Sequence, residues 1–262
     1  MSSQKFKEIA KLLLDAEIEK KEVLRITADK IPELTVDEAY LIQKELINLK
    51  IQQGLSVVGP KMGLTSRAKM KQMNVEEPIY GYIFDNMVVQ EGSSLSLSEL
   101  IHPKVEAEIA FVLDKDLAGP AISGVQVLAA TKYVLPALEI IDSRYENFQF
   151  TLPDVIADNT SSARVVFGNQ LRRPEELELD LVGTTLSING EIRALGAGGA
   201  VLGHPAHSVA MLANMLHREG SKLKAGQIIL TGGITEAILL ENGDEVVAKF
   251  DQLGQVSIKI TD

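Results

Sequence analysis

At Gly54 the hydrophobic pattern of this chain changes period, and that change limits what it can fold into. Before Gly54, apolar residues recur every three or four positions. Phe6, Ile9, Ala10, Leu13 and Ala16 fall on one helical face. A second stripe, Ala39, Ile42, Leu46 and Leu49, follows Thr35 and Glu38 in capping-box spacing and stops at Gly54. Both stripes read as surfaces for core or oligomer packing. After Gly54 the apolar runs shorten to β-like segments punctuated by Gly and Pro, at 55–58, 82–89, 105–113, 137–141, 164–167, 180–188, 227–230, 245–250 and 255–260. Asn189-Gly190 predicts a hairpin turn. Helices are expected at 124–132, opened by Ser123 with Gln126, and at 205–218, opened by Pro205 and stopped near Gly220. Strands and helices do not alternate as in a doubly wound sheet, so the expected class is α+β with a helical N-terminal part.

Composition narrows the function. With 45% apolar and 24% charged residues, the 262-residue chain has the makings of a substantial core. Its 26 Lys and Arg against 36 Asp and Glu leave a formal charge of −10, which argues against nucleic acid and against an anionic membrane surface. Cys is absent, which removes disulfides, thiolate nucleophiles and Cys-ligated metals. No apolar run approaches the roughly 18 residues of a membrane span, and the first residues do not read as a secretory signal. The expected location is the cytoplasm.

The residues that carry chemistry lie in His102-Pro103-Lys104-Val105-Glu106-Ala107-Glu108-Ile109-Ala110-Phe111. On a strand, Glu106 and Glu108 share a face roughly 7 Å apart, while Val105, Ala107, Ile109 and Phe111 enter a core. Burying two carboxylates beside so apolar a run is costly unless something neutralises them. A hard divalent cation would do so; an ordinary solvated strand face is the alternative. Glu139, isolated in Leu135-Pro136-Ala137-Leu138-Glu139-Ile140-Ile141, is a candidate third ligand, although spacing does not show that it meets the other two. Asp142 and Arg144 read as a structural ion pair. Lys61, in Gly59-Pro60-Lys61-Met62-Gly63-Leu64-Thr65, is placed to hold a carboxylate or move a proton, or to face solvent from a loop.

Weaker signals remain. Thr231-Gly232-Gly233 offers backbone donors to an anion or a tight turn. Asp158-Asn159-Thr160-Ser161-Ser162 suits hydroxyl contacts with a carboxylate or a helix cap. Gly196-Ala197-Gly198-Gly199-Ala200 lacks the spacing of a nucleotide loop, and no Gly-x-Ser-x-Gly elbow is present. His102 and His204, each before a Pro, read as turn or packing residues.

Several of these stretches together resemble a known family. Lys61-Met62-Gly63-Leu64-Thr65-Ser66, Pro78-Ile79-Tyr80-Gly81, Ile101 to Glu108, Glu139-Ile140-Ile141-Asp142-Ser143-Arg144-Tyr145, Ala157-Asp158-Asn159 and Thr231-Gly232-Gly233-Ile234-Thr235 are similar to the 4-oxalocrotonate decarboxylases. These belong with the vinylpyruvate hydratases in the fumarylacetoacetate hydrolase superfamily. The resemblance covers nearly the whole chain and implies a mixed β-sandwich roll. It divides the chain into a helical part, 1–80, that contributes Lys61, and a β-roll catalytic part, 81–262. It places Mg2+ or Mn2+ on Glu106, Glu108 and Glu139, and Lys61 at the substrate. Met62, Gly63, Leu64, Ser161, Thr231 and Gly232 become substrate contacts. It implies decarboxylation of a 2-oxo dicarboxylate, 2-oxo-3-hexenedioate, in catechol meta-cleavage. A vinylpyruvate hydratase, a C–C hydrolase of the acylpyruvate type, for which no water-activating group is evident, and a non-catalytic subunit of a hydratase complex are the other readings. A homo-oligomer and association with the hydratase are the implied partnerships. Pro60 is a departure, standing where the resemblance leads one to expect Leu. The cage, a divalent ion and Lys61 sum to zero formal charge, so an acidic protein can still receive a dianion.

Overall fold

The computed structural model describes residues 3–72 and 75–262. In chain order, among the described residues, the elements are α1 (Ser3–Glu19), α2 (Ile26–Asp29), α3 (Val36–Gln52), β1 (Val57–Gly63), α4 (Arg67–Gln72), β2 (Ile79–Phe84), β3 (Val88–Val89), β4 (Ser94–Ser96), β5 (Lys104–Leu113) and α5 (Gly124–Ala130). There follow β6 (Thr131–Ile141), α6 (Leu152–Ala157), β7 (Ser162–Phe167), β8 (Gly183–Ile188), β9 (Glu191–Ala197), α7 (Pro205–Arg218), β10 (Ile228–Leu230), β11 (Ile238–Leu239), β12 (Glu245–Phe250) and β13 (Gly254–Thr261).

The expected caps form. Thr35 and Glu38 bond reciprocally at the start of α3, and Ser123 with Gln126 do the same for α5. Pro205 opens α7 behind His204, whose ring accepts from the Ala206 N–H. The two N-terminal stripes face inward. Phe6, Ile9, Ala10 and Leu13 of α1 share one buried cluster with Ala39, Ile42 and Leu46 of α3 and with Ile156 of α6. They are core, so they offer no surface to a second copy.

The strands make two mixed sheets. The larger has eight strands in the order β2-β1-β10-β5-β6-β7-β3, with β11 added beside β5; the smaller runs β4-β13-β12-β8-β9. The main core fills the space between them and takes in the buried face of α7. Val105, Ala107, Ile109 and Phe111 enter it from one face of β5, as their alternation requires. The other face of the large sheet buries Ala110, Leu135, Ala137 and Leu230. Asn189 and Gly190, with φ of 53° and 81°, make the β8–β9 hairpin.

Boundaries moved where proline or a break hid the pattern. β6 begins at Thr131, immediately after α5, so the expected helix overran by two residues and the expected strand started six late. Pro136 concealed the strand because it has no ladder donor; here it lies opposite Ile109, and its carbonyl accepts from the Gly168 N–H at 2.8 Å. The run at 82–89 is β2 and β3 separated by a 3-10 turn at Asp85–Met87.

Candidate active site

Strand pairing assembles the carboxylates. In the antiparallel β5–β6 ladder Glu106 lies directly opposite Glu139, and Glu108 stands two residues along the same face. One carboxylate oxygen from each of the three lies within 4.8 Å of the others. Glu108 and Glu139 are wholly buried and Glu106 is 8% exposed. Like charges placed directly opposite repel, and burial adds the loss of water. Burial, with the Glu139 charge beside it, pushes the Glu108 carboxyl well above the usual carboxylate range, against the opposing pull of Lys61. Burial likewise raises Glu139, again with Lys61 opposing.

Hydrogen bonds do not settle this cluster. Glu108 Oε2 accepts from the Gly232 N–H at 2.7 Å. Gly232 has φ of +107°, a conformation strained for any residue with a Cβ. Glu108 Oε1 and Glu139 Oε1 are buried without a hydrogen-bond partner among the described residues. Glu139 Oε2 faces Lys61 Nζ at 3.0 Å, a contact of charges rather than an aligned hydrogen bond. Orphaned, closely spaced, hard oxygen donors fit a divalent cation, which satisfies them and keeps further positions for other oxygens.

Lys61 reaches this cluster from a distant strand. β1 is separated from β6 by β10 and β5, roughly 14 Å across a flat sheet at about 4.8 Å per strand. The sheet is rolled, and Lys61 is 3% exposed inside it. Its Nζ also donates to the Thr160 carbonyl at 3.3 Å. Pro60 does not disturb the β1–β2 ladder. It lies opposite Tyr82, whose N–H and carbonyl both turn away to the Asn159 side chain.

The other residues singled out in the sequence divide. Gly63 sits beside Lys61: a Cβ there would be 3.9 Å from Nζ. Leu64 is half-buried with φ of 57°. Ser161 Oγ is buried and without a hydrogen-bond partner among the described residues. Met62 is wholly buried in the main core, so its side chain is committed to packing. Thr231 is similarly occupied, its hydroxyl donating to the Ile109 carbonyl and its own carbonyl accepting from Ser208. Thr231-Gly232 therefore braces the cage, with Gly232 bonded to Glu108 directly.

The ion pair read between Asp142 and Arg144 does not form. Arg144 pairs with Asp158 at 2.5 Å, and Asp142 instead accepts from the Ile101 and His102 N–H groups. Helix α6 folds back to deliver Asp158 beside Arg144, and sequence adjacency alone is no measure of that distance. Sequence reasoning also missed two contributors, the Thr160 carbonyl and the Asn159 amide. The polar run 158–162 between apolar segments was their signal.

Residues 56–261 match the fumarylacetoacetate (FAA) hydrolase C-terminal family. The chain is 47% identical to a 4-oxalocrotonate decarboxylase of Pseudomonas putida over 251 residues, covering 96% of this chain and 95% of that one. It is 38% identical to a 2-oxo-hept-4-ene-1,7-dioate hydratase of Escherichia coli, with 96% of each covered. The solved 4-oxalocrotonate decarboxylase from Pseudomonas putida G7, complexed with magnesium and adipate, superposes with a TM-score of 0.97 at 44% identity, covering 99% of this chain and 98% of that one.

Proposed function

We infer the reaction from one premise: this chain belongs to the fumarylacetoacetate hydrolase family. The reaction is the decarboxylation of 2-oxo-3-hexenedioate (4-oxalocrotonate) to 2-hydroxypenta-2,4-dienoate and CO2, a carbon–carbon lyase step of catechol meta-cleavage. The observation that carries it is the trio of buried carboxylates, of which Glu108 and Glu139 have oxygens without a hydrogen-bond partner among the described residues, facing a buried lysine. Its relatives across almost the whole chain include 4-oxalocrotonate decarboxylases. Adipate, held with magnesium by one of them, is a six-carbon dicarboxylate, the length of the proposed substrate.

Glu106, Glu108 and Glu139 hold Mg2+ or Mn2+. That ion supplies, when bound, Lewis-acid stabilisation for charge developing at the 2-oxo acid end of the substrate. The departing carboxylate is a vinylogous β-keto acid: as its C–C bond breaks, the electron pair passes through the C3=C4 double bond to the 2-oxo oxygen. Lys61 has three ammonium protons; among the described residues its Nζ donates one to the Thr160 carbonyl and makes a charge contact with Glu139. The ammonium thus keeps a proton for the substrate, so Lys61 both orients the 2-oxo acid and supplies a proton as the dienol forms. Gly63, Leu64 and Ser161 line the substrate, while Met62 contributes through its backbone. Thr231 and Gly232 act by bracing the ligand Glu108. In this reading residues 1–80 deliver Lys61 and residues 81–262 supply the cage.

Two partnerships belong to the same reading, a homo-oligomer and an association with a vinylpyruvate hydratase. Exposed Ile192 and Leu195 on the edge strand β9 support the first, because large apolar side chains beside unpaired backbone favour contact with another surface. The test of function is CO2 release from 2-oxo-3-hexenedioate by purified protein with Mg2+ and no added hydratase. Release at a turnover rate supports the decarboxylase. Water addition to 2-hydroxypenta-2,4-dienoate without CO2 release replaces it with the hydratase, and no turnover of either compound leaves the scaffolding subunit.

A further inference from the structure

Between α6 and β7, three consecutive non-glycine residues adopt the left-handed backbone: Asn159, Thr160 and Ser161, with φ of 49°, 52° and 56°. This region is strained for residues with a Cβ, and a run of three persists only where the surroundings over-determine it. The hydrogen bonds show what holds it. Asn159 Oδ1 accepts from the Tyr82 N–H at 2.8 Å, and Asn159 Nδ2 donates to the Tyr82 carbonyl at 2.9 Å. The amide thus pairs with the outer edge of β2 as another strand would. On the other side, the Ser161 N–H bonds to the Asp158 carbonyl at 2.9 Å, and Asp158 is fastened to Arg144.

Those two amide bonds join distant parts of the rolled sheet. β2 is its edge strand and neighbours β1, which carries Lys61; the turn at 159–161 leads into β7, the neighbour of β6, which carries Glu139. The turn also aims the Thr160 carbonyl at Lys61 Nζ, 3.3 Å away. Its two hydroxyls do not anchor it, which leaves that to the Asn159 amide: Thr160 Oγ1 and Ser161 Oγ are buried without hydrogen-bond partners among the described residues.

We propose that Asn159 is a positioning residue, whose amide closes the roll between Tyr82 and β7 and so sets Lys61 Nζ between Glu139 and the Thr160 carbonyl. Its kinetic consequence rests on the decarboxylase reading; its geometry does not. Asn159→Ala removes both bonds. Asn159→Gly removes them too but accepts the left-handed backbone, which makes it the variant that folds if alanine does not. Both are expected to lose about 10²-fold in kcat, the cost of an ångström-scale misplacement. Mg2+ affinity is expected to stay at the wild-type value, because neither substitution touches a ligand.

Wild-type turnover in Asn159→Gly overturns the proposal, since backbone conformation alone would then suffice. Equal losses in kcat and Mg2+ affinity, or failure of both variants to fold, also overturn it by making the role structural. If the wild type releases no CO2, the decarboxylase reading fails, and a structure of the variant decides separately about Asn159. A Thr160 carbonyl still within hydrogen-bond distance of Lys61 Nζ overturns the clamp; a displaced one supports it.

Discussion

Arg144 and Glu108 are both buried charges, in neighbouring parts of the same roll, yet their surroundings differ in kind. Arg144 spends its donors on protein. Nε reaches Asp158 Oδ1, one terminal nitrogen the carbonyls of Asp142 and Ser162, and the other the carbonyl of Asp158. Even its backbone N–H bonds to Asp158 Oδ2. Among the described residues Glu108 has a single backbone donor, from Gly232, and faces two more carboxylates. A satisfied buried network holds one arrangement of the chain. An under-satisfied one, with repelling neighbours, is tolerated where a ligand completes it. Scaffold and site thus differ in how fully their buried charges are partnered, not in how deeply they are buried.

The largest expected effect comes from the under-satisfied side. Glu108→Gln with Glu139→Gln is expected to cut CO2 release on the order of 10³-fold, the several kcal/mol that Lewis-acid stabilisation is worth. Calorimetry should show lost Mg2+ binding, and the metal-free protein should stay folded, since relieved repulsion offsets the loss of Lys61's buried partner Glu139. A metal-free variant that unfolds would make the carboxylate cluster as much a part of the scaffold as Arg144. On the satisfied side, Arg144→Met is expected to cost about 3–5 kcal/mol of stability, the usual result of leaving one member of a buried pair alone. Denaturant unfolding with and without Mg2+ measures it; a loss that appears in one condition alone would tie Arg144 to the metal instead.

The smallest effect sharpens the contrast through pH. The folded protein holds the Glu108 carboxyl above its ordinary value of 4.5, so it binds protons that the unfolded chain releases. Stability from this source is present at low pH and is lost as pH rises above that ordinary value. Metal-free wild type should therefore fall progressively below Glu108→Gln in melting temperature as pH rises above 4.5. Mg2+ should remove the trend in the wild type, and its affinity should strengthen with pH, because binding displaces protons. Parallel melting curves for the two proteins across this range would refute the assignment of strain to Glu108.

Much of the site was legible because it is written in residue type and alternation. Glu106 and Glu108 were readable as a pair on one face, and Glu139 as an isolated charge in an apolar run. Lys61 was recognisable as a candidate but not as a buried one, since nothing local shows that its strand lies inside a roll. Arg144 was assigned the wrong partner because adjacency in sequence says little about a guanidinium that spans several ångströms. Asn159 was one polar residue among five. Its significance depends on Tyr82, on an edge strand whose identity no short stretch declares.

By itself, then, the sequence determined which side chains share a face and where helical and β-like segments fall, because alternation, caps and turn residues are local. It also determined that no Cys takes part in the chemistry. Tertiary structure alone decided that Glu139 stands opposite Glu106 and that Lys61 closes on the pair. It likewise decided that Asn159 pairs with β2. Register and curvature come from the packing of whole sheets, and a shift of one residue would turn either glutamate strand to its other face.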